Sequence, residues 1–360
     1  MDAQKILNKD IKRFYKKAFL LALRYRGYVS QAFKIYRYQK RTMQTRNAYK
    51  QQDIEVPPVM IISVTNECNL NCEGCYSKAL HKDTGKEMGE DELNKLLAES
   101  LELGVATVLI AGGEPFMRED ILDVLAAFPE MLFIVFTNGT MIDEASAAFL
   151  KSHKHIIPVV SIEGEDFHTE QRRGSGMGDL TQNSMKLLRD KGILFGQSFT
   201  VTSKNLKEIT QPDFVKRQMK NGSGVIFYIS YVPFEPGTED LSIKHEGTEY
   251  LRNTVKKLDK SLNTMFMCFP ADEDRLGGCI SAGTGFIHVS PSGDIEPCPF
   301  SPYKKFNIQE HTLLGALNSK YFKTIRANRH LLDEKDGVCA LFENQDWLDG
   351  LNECHCIRPR

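Results

Sequence analysis

The sequence has no apolar run of 18 residues, the length that a membrane-spanning helix requires. It also lacks the apolar core of a signal peptide, because the stretch 18–23 is too short and lies within a basic helix. Acidic residues are scarce at the start, where residues 1–50 hold 14 Lys and Arg but only 2 Asp and Glu. We therefore expect a cytoplasmic protein with a strongly basic first segment, although the net charge of the whole chain is only −1.

The chain also lacks the second CxxC-type knuckle that would complete a structural zinc site. It has instead one tight triplet, Cys68, Cys72 and Cys75, which follows an apolar run at 59–65 that we predict to be a buried strand. Three thiolates on one short loop can converge on one metal centre, and iron–sulfur clusters are held by Cys thiolates. The odd total of nine cysteines favours a reducing cytoplasm over a set of disulfides.

Short apolar runs alternate with amphipathic stretches between residues 59 and 232, which is typical of a parallel sheet covered on both faces. Six such units are too few for a closed eight-stranded barrel, so we predict a partial, open (β/α)6 barrel of the α/β class. Active sites of such barrels lie at the carboxyl ends of the strands, where the cysteine loop falls. The predicted strands are 59–65, 106–111, 131–137, 157–162, 193–201 and 224–232, and the predicted helices are 90–103, 119–128, 143–152, 179–191 and 206–219.

The CxxxCxxC spacing followed by Tyr76 resembles the signature of the radical SAM superfamily. The resemblance implies a TIM-like partial barrel with a [4Fe–4S] cluster on the three cysteines and an open fourth iron that binds S-adenosylmethionine (SAM). It also implies reductive cleavage of SAM to a 5′-deoxyadenosyl radical, with flavodoxin or ferredoxin as the reductant. An exposed cluster of this kind is sensitive to oxygen, so we expect an anaerobic or low-oxygen host.

Several strand ends match SAM-binding positions of that family. Gly112, Gly113 and Glu114 match its GGEP motif, in which the carboxylate binds the SAM amino group, and Ser161 begins a match to S-x-D-G in which Glu163 replaces the usual Asp. One of two neighbouring arginines is expected to bind the SAM carboxylate, and other strand-end side chains are expected to face the cofactor. The remaining candidate SAM-binding residues are Tyr76, Thr137, Asn138, Arg172, Arg173, Ser198 and Thr200.

The late cysteines resemble the opening of the SPASM/twitch auxiliary-cluster domains. Cys279 and Cys298 flank a hairpin-like turn at 291–294 that would bring them together, and Cys339 follows after a long gap. Because the later CxxC cysteines of a full SPASM domain are missing, we expect one auxiliary [4Fe–4S] cluster on these three residues. The fourth ligand is left open between three cysteines and a substrate-accessible iron; the cysteines are Cys268, Cys354 and Cys356.

The predicted domains are a basic helical arm at 1–56, a radical SAM partial barrel at 57–265 and a small α+β iron–sulfur domain at 266–360. The arm is predicted to form helices at 4–26 and 30–49, with Ala18, Leu21 and Tyr25 on one apolar stripe. Either this stripe packs on the main domain, or residues 1–50 contact a membrane surface. No nucleic-acid partner is expected.

Three functional classes follow. The auxiliary domain favours a maturase acting on a peptide or protein, whereas the basic arm favours radical modification of a lipid or small metabolite at the membrane surface. The third class, a non-catalytic iron–sulfur electron carrier, is disfavoured by the GGEP motif. A dedicated precursor-binding domain is not recognisable in the sequence, which counts against the peptide class.

Overall fold

The computed structural model describes residues 13, 16–23, 25, 27–80, 85–269, 278–301, 303–332 and 339–353. Within these ranges the fold is a curved, mostly parallel sheet with helices on its outer face. The strands are β1 Val59–Ser63, β2 Thr107–Ala111, β3 Leu132–Thr137, β4 Ile156–Ile162, β5 Phe195–Val201, β6 Ser223–Ser230, β7 Met265–Phe269, β8 Phe286–Val289, β9 Asp294–Glu296 and β10 Phe306–Asn307.

The helices include each of those predicted between the strands. Three short 3-10 turns lie at Pro115–Met117, Glu239–Leu241 and Arg329–Leu331. The α-helices are α1 Tyr28–Lys50, α2 Tyr76–Leu80, α3 Glu90–Leu103, α4 Ile121–Ala126, α5 Glu144–Ser152, α6 Asp166–Arg173, α7 Met177–Asp190, α8 Leu206–Ile209, α9 Pro212–Lys220, α10 Lys244–Ser261, α11 Leu313–Leu317, α12 Lys320–Ala327, α13 Ala340–Glu343 and α14 Gln345–Glu353.

Helix α3 illustrates how local sequence sets these bounds. Its first turn is closed by the Glu92 carboxylate, which accepts a hydrogen bond of 2.8 Å from the Gly89 backbone N–H. It ends at Gly104, whose φ of 91° is a left-handed conformation that glycine adopts at low cost. Between these ends, Leu93 and Leu97 are fully buried against the sheet.

The sheet order is β10-β9-β8-β1-β2-β3-β4-β5-β6-β7, with every pair from β8 to β7 parallel. The predicted α/β class and six-unit partial barrel are confirmed, and β7 adds a seventh parallel strand that the sequence reading missed. It begins at the predicted boundary near residue 265, so the barrel sheet continues into the segment assigned to the C-terminal domain.

The hairpin predicted around residues 291–294 is confirmed, because β8 and β9 pair antiparallel, with Val289 opposite Ile295. Strand β8 also pairs in parallel with β1, placing Ile62 beside Val289. The C-terminal strands therefore extend the barrel sheet on the side of the strand that leads into the cysteine loop.

The described part of the arm packs into the open end of the barrel, at the amino ends of its strands. Leu21, Tyr28 and Ile35 are buried in one apolar cluster with Leu132 and Met265, the first residues of β3 and β7. This packing bears out the stripe predicted through Ala18, Leu21 and Tyr25. None of the helices in the described ranges has the length and apolar character needed to span a bilayer.

Candidate functional site

The cysteine loop lies at the carboxyl end of β1 and is fixed by the neighbouring GGEP loop. Gly113 N–H donates to the Thr65 carbonyl at 2.7 Å, and Glu114 N–H donates to the Glu67 carbonyl at 2.8 Å. A Cβ atom at Gly113 would overlap the Glu67 carbonyl oxygen, and one at Gly112 would overlap that of Thr65. The two glycines are therefore needed for close packing of this loop on the segment that leads into the cysteines.

The loop is also held from its other side. The Lys78 ammonium on α2 donates to the Leu70 carbonyl at 2.6 Å and to Asn71 Oδ1 at 2.7 Å. The Glu73 N–H donates to the Arg172 carbonyl at 2.9 Å. The three thiols of the triplet are half-buried and form no disulfide.

The thiols of the triplet lie close enough to affect one another. The pKa of Cys68 is raised, first by burial and then by the negative charges of Cys72, Glu114 and Cys75. A bound cation or cluster would offset this cost of bringing several anionic groups together. The three thiols could therefore hold one iron–sulfur cluster.

Glu114 is a nearly completely buried carboxylate, 1% exposed, at the end of β2. It accepts hydrogen bonds from the Asn138 N–H at 2.6 Å, the Thr137 hydroxyl at 2.7 Å and the Phe116 N–H at 3.2 Å. Burial nevertheless raises its pKa, an effect that these donors and the charge of Arg173 only partly offset. Such a carboxylate beside the cysteine loop fits an ammonium group as its partner.

Other predicted site residues line the neighbouring strand ends. The Asn138 amide donates to Asn69 Oδ1 at 2.8 Å, and so connects the end of β3 to the cysteine loop. The Ser161 and Ser198 hydroxyls lie 2.9 Å apart on β4 and β5, on the face opposite to Phe199, which packs against Phe214. Both serines therefore face the interior of the barrel, as the alternation on β5 predicts.

The two candidate arginines share one buried carboxylate. Arg172 Nη1 lies 2.6 Å and Arg173 Nη2 lies 2.7 Å from Glu163 Oε1. The second oxygen, Oε2, accepts from the Thr200 N–H at 3.1 Å, and Asn205 donates to the Glu163 carbonyl at 2.8 Å. In this structure both guanidinium groups are thus paired with Glu163, so their expected role toward SAM stays a prediction.

The late cysteines converge in a buried site. Cys279, Cys298 and Cys339 are 5%, 5% and 7% exposed. The pKa of Cys298 is raised strongly, mainly by burial and further by a hydrogen bond with Cys339 and the charges of Cys339 and Cys279. Among the candidate fourth ligands, Cys268 lies on β7 beside Tyr228, whereas Cys354 and Cys356 fall outside the described residues.

Neither cysteine set is arranged for a single metal ion. Within the described ranges, no three His, Cys, Asp or Glu side chains form such a site.

A network of hydrogen-bonded polar side chains, which the sequence analysis did not predict, connects the cysteine triplet to the late cysteines. Tyr76 hydrogen-bonds to Ser63, the Ser63 hydroxyl lies 2.9 Å from His288 Nε2, and His288 Nδ1 lies 2.7 Å from Glu296 Oε2. Ser63, His288 and Glu296 are at most 2% exposed. The only signal in the sequence was a histidine and a glutamate in otherwise apolar positions of the predicted hairpin. The Tyr76 side chain is half-buried, and the loss of water around its hydroxyl is the main cause of its raised pKa.

Aromatic side chains pack beside this network of polar side chains. The ring of Phe300, two residues after Cys298, lies 5.1 Å from Tyr76 and 5.5 Å from Phe234. Phe234 in turn lies 4.9 Å from Phe342, three residues after Cys339. The loop after β6 therefore packs between the two cysteine regions.

The profile of the Radical SAM superfamily matches residues 62–210, which include the triplet, the GGEP loop and the ends of β3 to β5. Among curated proteins, the chain is 31% identical to an Fe-coproporphyrin III synthase of Methanosarcina barkeri over 155 residues, 42% of this chain and 39% of that protein. It is 24% identical to an AdoMet-dependent heme synthase of the same organism over 79% of this chain and 88% of that protein. It is 23% identical to a PqqA peptide cyclase of Granulibacter bethesdensis over 68% of each chain.

Solved structures share the fold over most of the chain. SuiB of Streptococcus suis, bound to its precursor peptide SuiA, superposes with a TM-score of 0.62 at 20% identity, covering 84% of this chain and 74% of that one. The enzyme anSMEcpe with bound AdoMet superposes with a TM-score of 0.58 at 17% identity, covering 83% of this chain and all of that one. The family match identifies residues 62–210 as a radical SAM domain, and the chain is therefore a radical SAM enzyme that uses a [4Fe–4S] cluster and SAM.

Proposed function

We propose that Cys68, Cys72 and Cys75 hold the SAM-binding [4Fe–4S] cluster of this enzyme. The observation that carries the proposal is the position of the buried Glu114 carboxylate. It lies close enough to Cys68 for its charge to raise the pKa of the Cys68 thiol. When bound, the cluster supplies the electron that cleaves SAM to methionine and a 5′-deoxyadenosyl radical, which abstracts hydrogen from the substrate. Flavodoxin or ferredoxin is proposed as the source of that electron.

The protein's own part in this reaction is placement. The Glu114 carboxylate binds the SAM ammonium, whose positive charge offsets the cost of keeping a buried carboxylate ionised. Ser161 and Ser198 offer hydroxyls from the barrel interior, and Thr200 lies beside them at the end of β5. The aromatic contacts of Phe234 and Phe300 limit the entry of water between the two cysteine regions.

We propose that Cys279, Cys298 and Cys339 hold one auxiliary [4Fe–4S] cluster. Three buried thiols, two of which raise the pKa of Cys298, are costly to bring together unless a positively charged group joins them. Reconstituted protein should then contain about eight irons, four in each cluster. A variant with Cys68, Cys72 and Cys75 all changed to Ala should keep about four, whereas zero iron with about one zinc would contradict the proposal.

We propose a peptide or protein as the substrate, in agreement with the similarity to a peptide cyclase over 68% of the chain. A tetrapyrrole is the second candidate, because the similarity to heme synthase extends over 79% of the chain. Anaerobic incubation of the reconstituted enzyme with Fe-coproporphyrin III, SAM and reductant distinguishes these two candidate substrates. Heme formation that needs SAM would overturn the peptide assignment, and unchanged Fe-coproporphyrin III would support it.

We also infer that the arm contacts an anionic membrane surface with the side that the barrel leaves exposed. Leu20, Leu23, Phe33 and Tyr36 are 43%, 57%, 57% and 53% exposed. The Phe19 and Phe33 rings lie 6.4 Å apart, so the segment 16–22 and α1 are in contact through them. The basic residues of the arm complement anionic headgroups around it.

Vesicle co-sedimentation tests this contact. The protein should bind phosphatidylglycerol vesicles and not phosphatidylcholine vesicles, with binding that falls as salt rises. Leu23→Ser combined with Phe33→Ser should abolish binding, whereas the matched exposed residue change Leu180→Ser, outside the arm, should not. Equal binding by all variants would contradict the inferred contact.

A further inference from the structure

Tyr231 carries a buried hydroxyl that the protein itself does not satisfy. The residue follows β6 directly and is 3% exposed. Its backbone N–H donates to the Val201 carbonyl at 2.9 Å, which fixes the residue at the carboxyl ends of β5 and β6. In the part of the chain that the structure describes, the phenolic oxygen has no hydrogen-bond partner.

The hydroxyl lies against the cysteine loop. Gly74, between Cys72 and Cys75, has a φ of 62°, and a Cβ added there would come within 2.7 Å of Tyr231 Cε2 and overlap the hydroxyl oxygen. No side chain larger than hydrogen fits between the phenol and the loop backbone. Glycine is thus required at 74 both by its backbone conformation and by this contact.

An unsatisfied buried hydroxyl is costly and rare in folded proteins, and one in a native structure calls for a partner that the chain alone does not provide. None of the described sulfur atoms accepts from it. A group bound at the loop could supply the acceptor, and a cluster on the three thiolates would bring inorganic sulfide to this place.

We propose that the Tyr231 hydroxyl donates a hydrogen bond to a sulfide of the cluster held on Cys68, Cys72 and Cys75. The inference rests on the proposed site of that cluster. Hydrogen bonds to cluster sulfurs stabilise the more negative, reduced state and so raise the reduction potential. Tyr231 is thus a positioning residue that tunes the cluster from which SAM receives its electron.

The test is Tyr231→Phe, which removes only the hydroxyl oxygen and its hydrogen. Tyr228→Phe is the matched control, since Tyr228 is a fully buried tyrosine of the same strand whose hydroxyl donates to the Ile209 carbonyl at 2.8 Å. Both variants are made in protein reconstituted with iron and sulfide, and the core cluster is titrated electrochemically with detection by electron paramagnetic resonance.

We expect the potential to shift to a more negative value in Tyr231→Phe and to stay unchanged in Tyr228→Phe. In protein without the cluster, the control is the variant that has an effect. We expect Tyr228→Phe to lower the unfolding temperature and Tyr231→Phe to leave it unchanged or raise it. An unchanged potential in Tyr231→Phe would overturn the inference, as would a loss of SAM affinity without a shift in potential. Wild-type protein that forms no cluster on the triplet would instead contradict the proposed function.

Discussion

At the scale of single residues, the charge of Glu114 is the feature on which SAM placement depends. The chain buries this carboxylate almost completely and gives it three hydrogen-bond donors, yet burial still raises its pKa, so a bound cation is needed to favour the ionised form. Glu114→Gln keeps the shape and removes the charge. Loss of a charge-assisted hydrogen bond costs about 1.5–3 kcal/mol, which corresponds to roughly 10- to 150-fold weaker SAM binding.

Equilibrium binding of SAM to the reconstituted variant measures this effect. The absorption spectrum of the cluster should stay that of wild type, and the exposed change Glu246→Gln on α10 should leave SAM affinity unaltered. Wild-type affinity in Glu114→Gln would exclude this carboxylate as the ammonium partner.

Gly113 is a second residue on which the site depends, because its close packing leaves no room for a larger side chain. A methyl group there would overlap the Glu67 carbonyl oxygen and displace the segment next to Cys68. We expect Gly113→Ala to lower the iron bound at the triplet, measured as iron per protein in a background without the three late cysteines. Gly350→Ala is the control, because a Cβ at that helical position meets no atom within 4 Å. Full iron loading of Gly113→Ala would contradict the packing argument.

At the scale of structural elements, the buried pair His288 and Glu296 joins β8 and β9 and reaches β1 through Ser63. Changing one member of a buried, hydrogen-bonded pair leaves a polar group without its designed neighbour and costs about 3–5 kcal/mol. His288→Leu and Glu296→Leu should each lose about this much unfolding free energy in urea titrations, and the double variant should lose less than the sum. Strict additivity would show that the two side chains are not coupled.

The same pair predicts a dependence of stability on pH. Burial lowers the pKa of His288 to about 3, from an ordinary value near 6.5, so folding keeps the imidazole neutral. The unfolded chain therefore binds the extra proton between these two values. The stability that goes with a neutral His288 is complete above pH 6.5 and is lost as the pH falls toward 3. Urea unfolding at pH 7.5 and 5.5 should show a larger loss in wild type than in His288→Leu; an equal loss would contradict a neutral His288.

The elements of the barrel were largely predictable, because short apolar strands and amphipathic helices carry strong periodic signals. Helix α3 was predicted at its observed bounds, since Gly104 marks its end. Strand β7 was missed because its sequence, with Cys268 among aromatic and sulfur-containing residues, resembles a cysteine motif as much as a strand. The parallel pairing of β8 with β1 is non-local, and no local pattern encodes it.

The candidate site was also predictable from the sequence only in part. Cys68, Cys72, Cys75 and the GGEP residues were found from spacing, because a motif keeps its ligands close in sequence. The contacts of Tyr231 with Gly74 and of His288 with Ser63 join residues more than 150 positions apart. Such contacts depend on how the sheet curves, so they became visible only in the folded chain.

At the scale of the whole molecule, the two ends of the barrel have different tasks. The arm fills the end at the amino termini of the strands, where Leu21 and Tyr28 pack with Leu132 and Met265. The opposite end holds the cysteine triplet, and the C-terminal segment brings its buried thiols to the same side through the contact of Phe300 with Tyr76. If the arm contacts a membrane, the end of the barrel that carries the cysteine triplet would face away from it.

The central claim is that the Cys68, Cys72 and Cys75 loop supports radical cleavage of SAM, and 5′-deoxyadenosine formation measures it most directly. Wild-type protein and Cys72→Ala are reconstituted without oxygen, supplied with SAM and dithionite, and compared by the 5′-deoxyadenosine formed per protein. We expect 5′-deoxyadenosine from the wild type and none above the protein-free background from Cys72→Ala, whose late cysteines should still bind iron. Equal formation of 5′-deoxyadenosine by the two proteins would contradict it.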